Sequence, residues 1–369
     1  MKKCRILALI LALCMILTFT VSCGKKAEGF VSFRDTVIDQ NKYFYMMSHF
    51  KALYLYSYFG LTEDNAQIWE QQMTADVTVG DYLSALALSN IMSIAVYVEL
   101  FDDYGLTLSQ SDLQTVDTQI SQLIATAGSE SELQKELSKY GADIETVRSV
   151  LTDSVKVSRL QEYLYGENGV EAISDEEVEE YFTENYMRCK LILIHKTQDY
   201  VYDANGEPVF DEDTQKFVTR DMSEDEIAEK EALYEQLKDR ILKDGEDFEA
   251  LMTEYTMESG MKKFADGYYV TSASTFVPNE VLVALKAIEE GEVTAVESES
   301  GWYIVKRYEL VEDAWKNEEY SAAMFGDLKN TVSTLAMSEL VAPYADEIVV
   351  DSEVVETYPI SKFTPNFNY

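Results

Sequence analysis

The sequence of 369 residues contains few of the side chains from which metal centres and covalent cross-links are built. It has only two histidines and four cysteines, and they show no zinc-site spacing. The many carboxylates show no calcium-loop pattern. No glycine-rich phosphate loop or nucleophile elbow occurs. We therefore predict a protein that uses no metal and no cofactor.

Positive charge is also scarce. The chain has 30 lysines and arginines against 67 aspartates and glutamates, which gives a net charge of −37. Because contacts with a phosphate backbone need a basic surface, this composition argues strongly against nucleic acid as a partner. An acidic surface keeps a protein soluble and favours basic partners, although it specifies no particular ligand.

The first 22 residues have the pattern of a secretory signal. Three positive residues precede an apolar run over 6–21, which is shorter than the roughly 20 residues that span a bilayer. The following Val-Ser-Cys-Gly resembles a bacterial lipobox. We predict a lipoprotein signal over 1–22, a lipid on Cys23 that anchors the chain to the extracytoplasmic side of the cell membrane, and a linker over 23–32. An ordinary signal and an uncleaved anchor are the alternatives. One other cysteine would remain, too few for an intramolecular disulfide.

The region 33–185 is predicted to be helical. No proline precedes Pro208, and capping pairs recur. These pairs are Ser109 with Asp112, Ser129 with Glu132, and Ser174 with Glu177. We expect a first helix at about 36–59 and a second, apolar nearly all round and therefore central, at about 80–101. Tyrosines and methionines at helical spacing in the first helix indicate a buried face, and a groove for unfolded chain is the alternative.

A series of phrases from Met187 to Arg307 has a characteristic order. MRCKLILIHK contains a continuous apolar stretch typical of a buried strand. A helical pattern, DGEDFEALMTEYT and finally GEVTAVESESGWYIVKR follow. Over 187–311 this order resembles the parvulin family of peptidyl-prolyl isomerases. The upstream region resembles the helical domain of extracytoplasmic foldases of the PrsA and SurA type.

The resemblance implies an α+β fold. It consists of a mainly helical N-terminal domain over 33–185, completed by a C-terminal helix, and a parvulin-like domain. That second domain is expected to have a small mixed, mostly antiparallel sheet flanked by helices. We predict that the segment 312–369 packs on the N-terminal domain, with one helix from about Trp315 to Val341 and a flexible tail from Pro359.

The resemblance also assigns site residues. Parvulins usually carry a histidine in each terminal strand, and Leu191 and Tyr303 stand at those two positions. Glu258 falls where the family has a cysteine or an aspartate, and Ser298 falls at a hydroxyl position, so these two are the candidate catalytic residues. The candidate substrate-binding residues are Leu191, Phe276, Val281 and Tyr303. His195 is a weaker candidate for replacing the lost histidines.

An apolar socket has a physical function in such a site. An X–Pro bond isomerises over a barrier of about 18–20 kcal/mol because amide resonance is broken. Seating the proline ring and desolvating the twisted amide lowers that barrier without a covalent step or a metal. Loss of the histidine pair removes hydrogen bonds that position the neighbouring acid and hydroxyl. We therefore expect polypeptide binding to persist where catalysis is poor.

A predicted insertion over 198–221 is longer than a minimal parvulin needs. It contains Asn205-Gly206 between two β-prone runs, which is the pattern of a hairpin. Contact with a partner and simple decoration are both compatible with it.

Three functions are compatible with the whole sequence. The first is a membrane-anchored foldase that binds unfolded secreted polypeptides, with weak or absent isomerase activity. The second is a catalytically competent prolyl isomerase. The third is a structural or solute-binding lipoprotein, which predicts strand and helix alternation throughout, and the helical first half lacks that alternation.

Overall fold

The computed structural model describes residues 29–205, 208–211 and 216–368, so the predicted signal and Cys23 lie outside the described residues. The chain divides into two compact units, one made of Met1–Ala172 with Ser333–Tyr369 and the other of Ile173–Val332. Helices dominate the first unit, and a four-stranded antiparallel sheet with helices forms the second. The predicted α+β class is therefore confirmed.

The described part of the first unit opens with a short strand pair and six helices. The helices are α1 (Gln40–Phe59), α2 (Ala66–Trp69), α3 (Val79–Asp103), α4 (Gln110–Ala127), α5 (Glu130–Ser138) and α6 (Ile144–Tyr165). Exposed N–H groups at a helix start need an acceptor. The Ser109 hydroxyl supplies one to the Asp112 N–H, and the Asp112 carboxylate accepts from the Ser109 N–H at 2.8 Å, so this predicted capping box is present.

The two helices singled out in the sequence form the core of this unit. Within the described part of the chain, α3 is the one helix long and apolar enough to cross a membrane, and over half of its apolar window is buried in the protein. In α1, Tyr43, Met46 and Met47 are at most 5% exposed. The first part of the stripe is therefore buried as interpreted, whereas Leu53 and Tyr58 near the end of the helix are 44% and 60% exposed.

A small sheet replaces the start of the predicted first helix. β1 (Val31–Phe33) pairs with β2 (Thr36–Ile38) on one side and with a C-terminal strand, Val349–Val350, on the other. The helix begins only at Gln40, because the Asp39 carboxylate caps it by accepting from the Lys42 N–H at 2.9 Å. The predicted start at Thr36 was therefore wrong.

The C-terminal tail is docked rather than flexible as predicted. Ile360 has no exposed surface. The ammonium of Lys51 in α1 is fully buried and donates to the carbonyls of Ser361 at 3.0 Å and Phe363 at 2.7 Å. It also donates to the Asp64 carboxylate at 2.6 Å. A buried cation needs such partners to remain charged, so the tail completes the surroundings of Lys51.

The second unit is built around one antiparallel sheet. Its strand order is β8 (Tyr268–Val270), β3 (Met187–His195), β10 (Gly301–Tyr308) and β9 (Val293–Glu297). The helices are α7 (Asp175–Asn185), α8 (Glu224–Leu242), α9 (Phe248–Tyr255), α10 (Gly260–Lys263) and α11 (Asn279–Ala287). The apolar run of β3 is buried as predicted, and burial raises the pKa of the Cys189 thiol to about 12. Helix α8 covers one face, where Tyr234 stacks on Trp302 at a centroid distance of 5.9 Å.

The insertion 198–221, called the arm below, forms its own short strands. β4 (Gln198–Tyr200) pairs with β7 (Thr219–Asp221), and β5 (Phe210–Asp211) pairs with β6 (Lys216–Phe217). The Val209 N–H donates to the Val201 carbonyl at 2.8 Å, which joins the two runs on either side of Asn205. The turn residue Gly206 lies outside the described residues.

The chain after β10 stays with the second unit as far as Val332, whereas the predicted boundary is at 312. Instead of one helix from Trp315, it forms α12 (Glu318–Tyr320), a π-helical turn (Ser321–Phe325) and α13 (Leu328–Glu339), followed in the first unit by β11 (Val349–Val350) and α14 (Ser352–Thr357). Gly326 has φ of 64°, a left-handed conformation that ends a helix. The core around the sheet includes Trp315, Tyr320, Phe325 and Leu328, which explains why this segment belongs there.

Candidate functional site

One face of the second sheet carries several of the candidate residues. Side chains alternate along a strand, so Leu191, Leu193 and His195 in β3 share a face. Leu193 lies opposite Tyr303 in β10, and β8 adds Tyr268 on the same side. This surface is called the site face below. It contains Leu191 and Tyr303, the two positions at which parvulins usually have histidine.

Glu258 is held against the site face through one carboxylate oxygen. The Tyr268 hydroxyl donates to Oε1 at 2.9 Å, and the Gly260 N–H donates to it at 3.0 Å. Burial, and then the Glu258 charge, raise the pKa of Tyr268, so its hydroxyl stays protonated and available as a donor. A Cβ at position 260 would lie 1.6 Å from the Tyr268 oxygen, so only glycine fits there.

The residues just before Glu258 fix its position along β3. The Met257 N–H donates to the Leu193 carbonyl at 2.9 Å, and the Thr256 hydroxyl donates to the Leu191 carbonyl at 3.2 Å. The segment thus runs beside the strand as an extra hydrogen-bonded edge. Glu258 is placed by backbone geometry as well as by Tyr268.

The two replaced positions are apolar and buried. Leu191 has no exposed surface, and Tyr303 is 5% exposed. The Tyr303 hydroxyl lies 3.4 Å from the Ser300 hydroxyl, and burial is the main cause that raises the pKa of Tyr303. Leu191 offers no polar atom in its side chain, so this pair supplies packing rather than the hydrogen bonds of two imidazoles.

The remaining predicted residues occupy different environments. The Ser298 hydroxyl accepts from the N–H groups of Ser300 at 3.2 Å and Gly301 at 3.3 Å, so it closes the turn between β9 and β10. Phe276 is 45% exposed, and its ring meets the Tyr268 ring edge-on at 5.4 Å. Val281 in α11 has no exposed surface and lies in the core. Phe276 alone among the predicted binding residues is widely open to solvent.

His195 lies at the end of β3 on the site face. Its ring contacts Tyr200 edge-on at 4.8 Å, and its buried Nδ1 lies 3.7 Å from an Asp199 oxygen. Burial lowers the pKa of His195, and the Asp199 charge opposes that shift. Lys230 in α8 lies 3.1 Å from the other Asp199 oxygen. These contacts tie the base of the arm to the sheet.

The arrangement suits binding better than proton transfer. Apolar side chains lie beside Glu258, and they can desolvate an amide and seat an apolar side chain. Sequence reasoning missed Tyr268, the partner of that acid. The aromatic after Gly267 was visible in the phrase FADGYYV, but nothing local linked it to Glu258 or Gly260. Among the described residues, no group of three or more histidines, cysteines or acids is arranged to hold a metal ion.

Comparison with known families identifies part of the chain. Residues 214–309 match the family model described as Rotamase, the PPIC-type PPIASE domain. The match contains every candidate catalytic and substrate-binding residue except Leu191, which lies in β3 before it starts. Comparison with curated proteins gives no match.

Several solved structures of PrsA proteins are similar at low identity. PrsA from Bacillus subtilis is 20% identical, with 80% of this chain and 99% of that chain covered and a TM-score of 0.23. The foldase protein PrsA from Streptococcus pneumoniae is 19% identical, with 79% and 89% covered and a TM-score of 0.23. The peptidylprolyl isomerase PrsA from Bacillus cereus is 15% identical, with 78% and 96% covered and a TM-score of 0.27. These scores by themselves carry no statement about function. The family model supports the resemblance to parvulins, because residues 214–309 are similar to the PPIC-type PPIASE domain that it describes.

Proposed function

We propose that the protein is a lipid-anchored extracytoplasmic foldase that binds unfolded secreted polypeptides and has weak or no prolyl isomerase activity. One observation carries this proposal. The two positions at which parvulins usually have histidine hold a fully buried leucine, Leu191, and a buried tyrosine, Tyr303. The site face keeps apolar walls and loses the imidazole pair, so binding is retained more readily than catalysis.

The surroundings of Glu258 support the same conclusion. Its Oε1 already accepts from Tyr268 and from the Gly260 N–H. One of its two oxygens is thus already occupied by partners within the protein and is less accessible to a substrate. The acid therefore acts in the proposal as an anchor of the local fold beside the bound polypeptide.

Two assays on the purified chain beginning at Cys23 test the function. The first follows isomerisation of a proline-containing peptide, and the second follows aggregation of a chemically unfolded client after dilution. We expect suppressed aggregation and isomerisation close to the uncatalysed rate. Strong acceleration would show a competent isomerase instead. Failure in both assays would reject the foldase function and favour a structural role.

The membrane anchor is tested separately in cells. Cys23→Ser removes the predicted lipid attachment, so we expect the protein to move from the membrane fraction to the medium. Retention of the variant at the membrane in an unprocessed form would indicate an uncleaved anchor. Release of the unaltered protein would indicate an ordinary signal.

A competent isomerase is the second candidate, and one observation favours it. An acid remains at position 258 with a neutral tyrosine donor beside it, so a polar element survives on the site face. This candidate predicts that Glu258→Gln abolishes the measured isomerisation. The first candidate predicts no isomerisation for Glu258→Gln to remove.

A further inference from the structure

The arm carries a cluster of four aromatic side chains. Tyr200 and Phe217 have ring centroids 5.2 Å apart, and Phe210 and Phe217 are 5.3 Å apart. Tyr202 lies edge-on to Tyr200 at 6.4 Å. The rings form one continuous group across β4, β5 and β6 rather than isolated surface residues.

Much of this cluster faces solvent. Tyr202 is 47% exposed, Phe210 is 46% exposed and Phe217 is 37% exposed. Single exposed apolar side chains are common on soluble proteins and need no explanation. A contiguous group of exposed aromatic rings is different, because aromatic side chains on an exposed patch mark an interaction surface.

The cluster is continuous with the site face. The Tyr200 ring packs edge-on against His195 at 4.8 Å, and His195 shares the face of Tyr303. Burial is the main cause that raises the pKa of both Tyr200 and Tyr303, and the Glu258 charge adds to both shifts, which is consistent with the acid lying near both. A polypeptide on the site face therefore has the arm as its direct continuation.

The charge of the arm selects among possible occupants. Residues 198–221 contain seven acids against two basic residues, Lys216 and Arg220. Arg220 pairs with Glu226 at 2.6 Å, which neutralises part of its charge. Aromatic rings in a segment with this excess of acidic residues can bind apolar side chains and cations together, since rings also bind ammonium and guanidinium groups over their faces.

We propose that the arm is a second client-binding surface, adjoining the site face, that takes extended polypeptide segments in which aromatic or branched apolar side chains alternate with lysine or arginine. The proposal rests on the proposed foldase function and deepens it. In this role the insertion holds the part of the client polypeptide that continues beyond the parvulin-like site. Because exposed aromatic rings can pack against any apolar side chain, the interaction does not require proline in the client.

Fluorescence anisotropy with three synthetic peptides tests this proposal on the full chain beginning at Cys23. One labelled peptide alternates phenylalanine or leucine with lysine and contains no proline. The second has glutamate in place of lysine, and the third has serine in place of the apolar residues. We expect binding of the first peptide and at least roughly 10-fold weaker binding of the other two.

A pair of variants locates the binding. Phe210→Ala/Phe217→Ala should weaken binding of the lysine peptide about 10-fold or more, because truncation of aromatic anchors usually dominates such interfaces. Leu242→Ala/Val283→Ala is the matched control, with side chains 46% and 59% exposed in the same unit but outside the arm, and should bind as the unaltered protein does. The single variant Phe210→Ala, whose unfolding midpoint is also measured, tests the same surface if the double variant does not fold.

The outcomes separate this inference from the proposed function. Unchanged peptide affinity in the folded arm variants would overturn the inference, even if the protein suppresses client aggregation. Equal binding of the glutamate peptide would overturn the charge selection. Loss of peptide binding in the arm variants together with no suppression of aggregation by the unaltered protein would support the surface and reject the foldase function.

Discussion

The hydroxyl of Tyr268 donates a 2.9 Å hydrogen bond to Glu258, across a gap that only a glycine at position 260 leaves open. This contact joins a strand of the sheet to the acid that the family places at the site. It gives the acid a fixed partner within the protein and thereby lowers its availability to a substrate. The free energy that this hydrogen bond contributes to folding can be measured directly.

Tyr268→Phe removes the donor and leaves Glu258 Oε1 with the Gly260 N–H. A hydrogen bond to a charged group contributes about 1.5–3 kcal/mol, so we expect a loss of that order in the free energy of unfolding of the second unit. Urea unfolding followed by tryptophan fluorescence measures it. Tyr181→Phe is the control, because burial raises the pKa of Tyr181 and its hydroxyl has no hydrogen-bond partner among the residues that the structure describes. Equal effects of the two variants would show that the Glu258 contact contributes nothing.

Tyr303 is expected to act through its ring. Tyr303→Phe removes only a hydroxyl 3.4 Å from that of Ser300, a long contact, and should cost less than about 1 kcal/mol of stability. Tyr303→Ala removes a buried ring and should cost about 3–5 kcal/mol. Comparable losses in both variants, measured by urea unfolding, would show that the hydroxyl, rather than the ring, provides most of the stability.

The second unit should lose stability in mild acid through His195. Burial lowers the pKa of His195 in the folded protein, so the unfolded chain binds the proton more readily. The contribution of neutral His195 to stability is therefore fully present above the unfolded histidine pKa, about 6.5. This contribution is lost as pH falls through that value towards the lower folded pKa. The protection factors of the β3 and β10 amides, which are exchange rates corrected for the pH dependence of an unstructured chain, should fall over this window.

His195→Gln should make those protection factors nearly independent of pH over the same window. The matched control is His49→Gln in α1, where burial also lowers the pKa of the histidine, but in the first unit. It should leave the β3 and β10 response intact. If the response persists in His195→Gln, another group causes it.

Lys51→Met should release the C-terminal tail. The substitution leaves the carbonyls of Ser361 and Phe363 without their donor, and breaking a buried charged pair costs about 3–5 kcal/mol. Limited proteolysis should then cut the tail well before the core of the first unit. Lys139→Met, on an ion pair whose lysine is 54% exposed, should change stability by less than about 1 kcal/mol. A tail equally protected in Lys51→Met would mean that apolar packing alone holds it.

The features that could be predicted are those that depend on residues close together in the sequence. The capping boxes at Ser109 and Ser174 are present, because each joins residues three apart in one helix. The Ser129 hydroxyl also caps its helix, but the return hydrogen bond from the Ser129 N–H to the Glu132 carboxylate does not form. The buried strand LILI followed from its unbroken apolar run. Alternation along β3 likewise placed His195 on the face of Leu191, although the sequence alone left its role open.

Contacts between distant residues were not predictable in this way. Nothing near Lys51 indicates that its acceptors lie at the opposite end of the chain, and nothing near Glu258 points to Tyr268. The helix end near Gly326 was not predicted, because the apolar spacing typical of a helix continues past this residue. The positive φ of Gly326 interrupts the helical backbone there. Such features depend on which elements meet, and a single sequence does not encode that as a local pattern.

The pairing of β1 sets an order of assembly. Val31 pairs with Val350, near the other end of the chain, so the first unit cannot close its sheet until almost the entire polypeptide has been made. The second unit, Ile173–Val332, is contiguous and is complete well before that. The second unit can therefore be completed without the residues that follow Val332. A chain truncated before Ser333 would keep the whole second unit and leave β1 with an open strand edge, the kind of edge that invites aggregation.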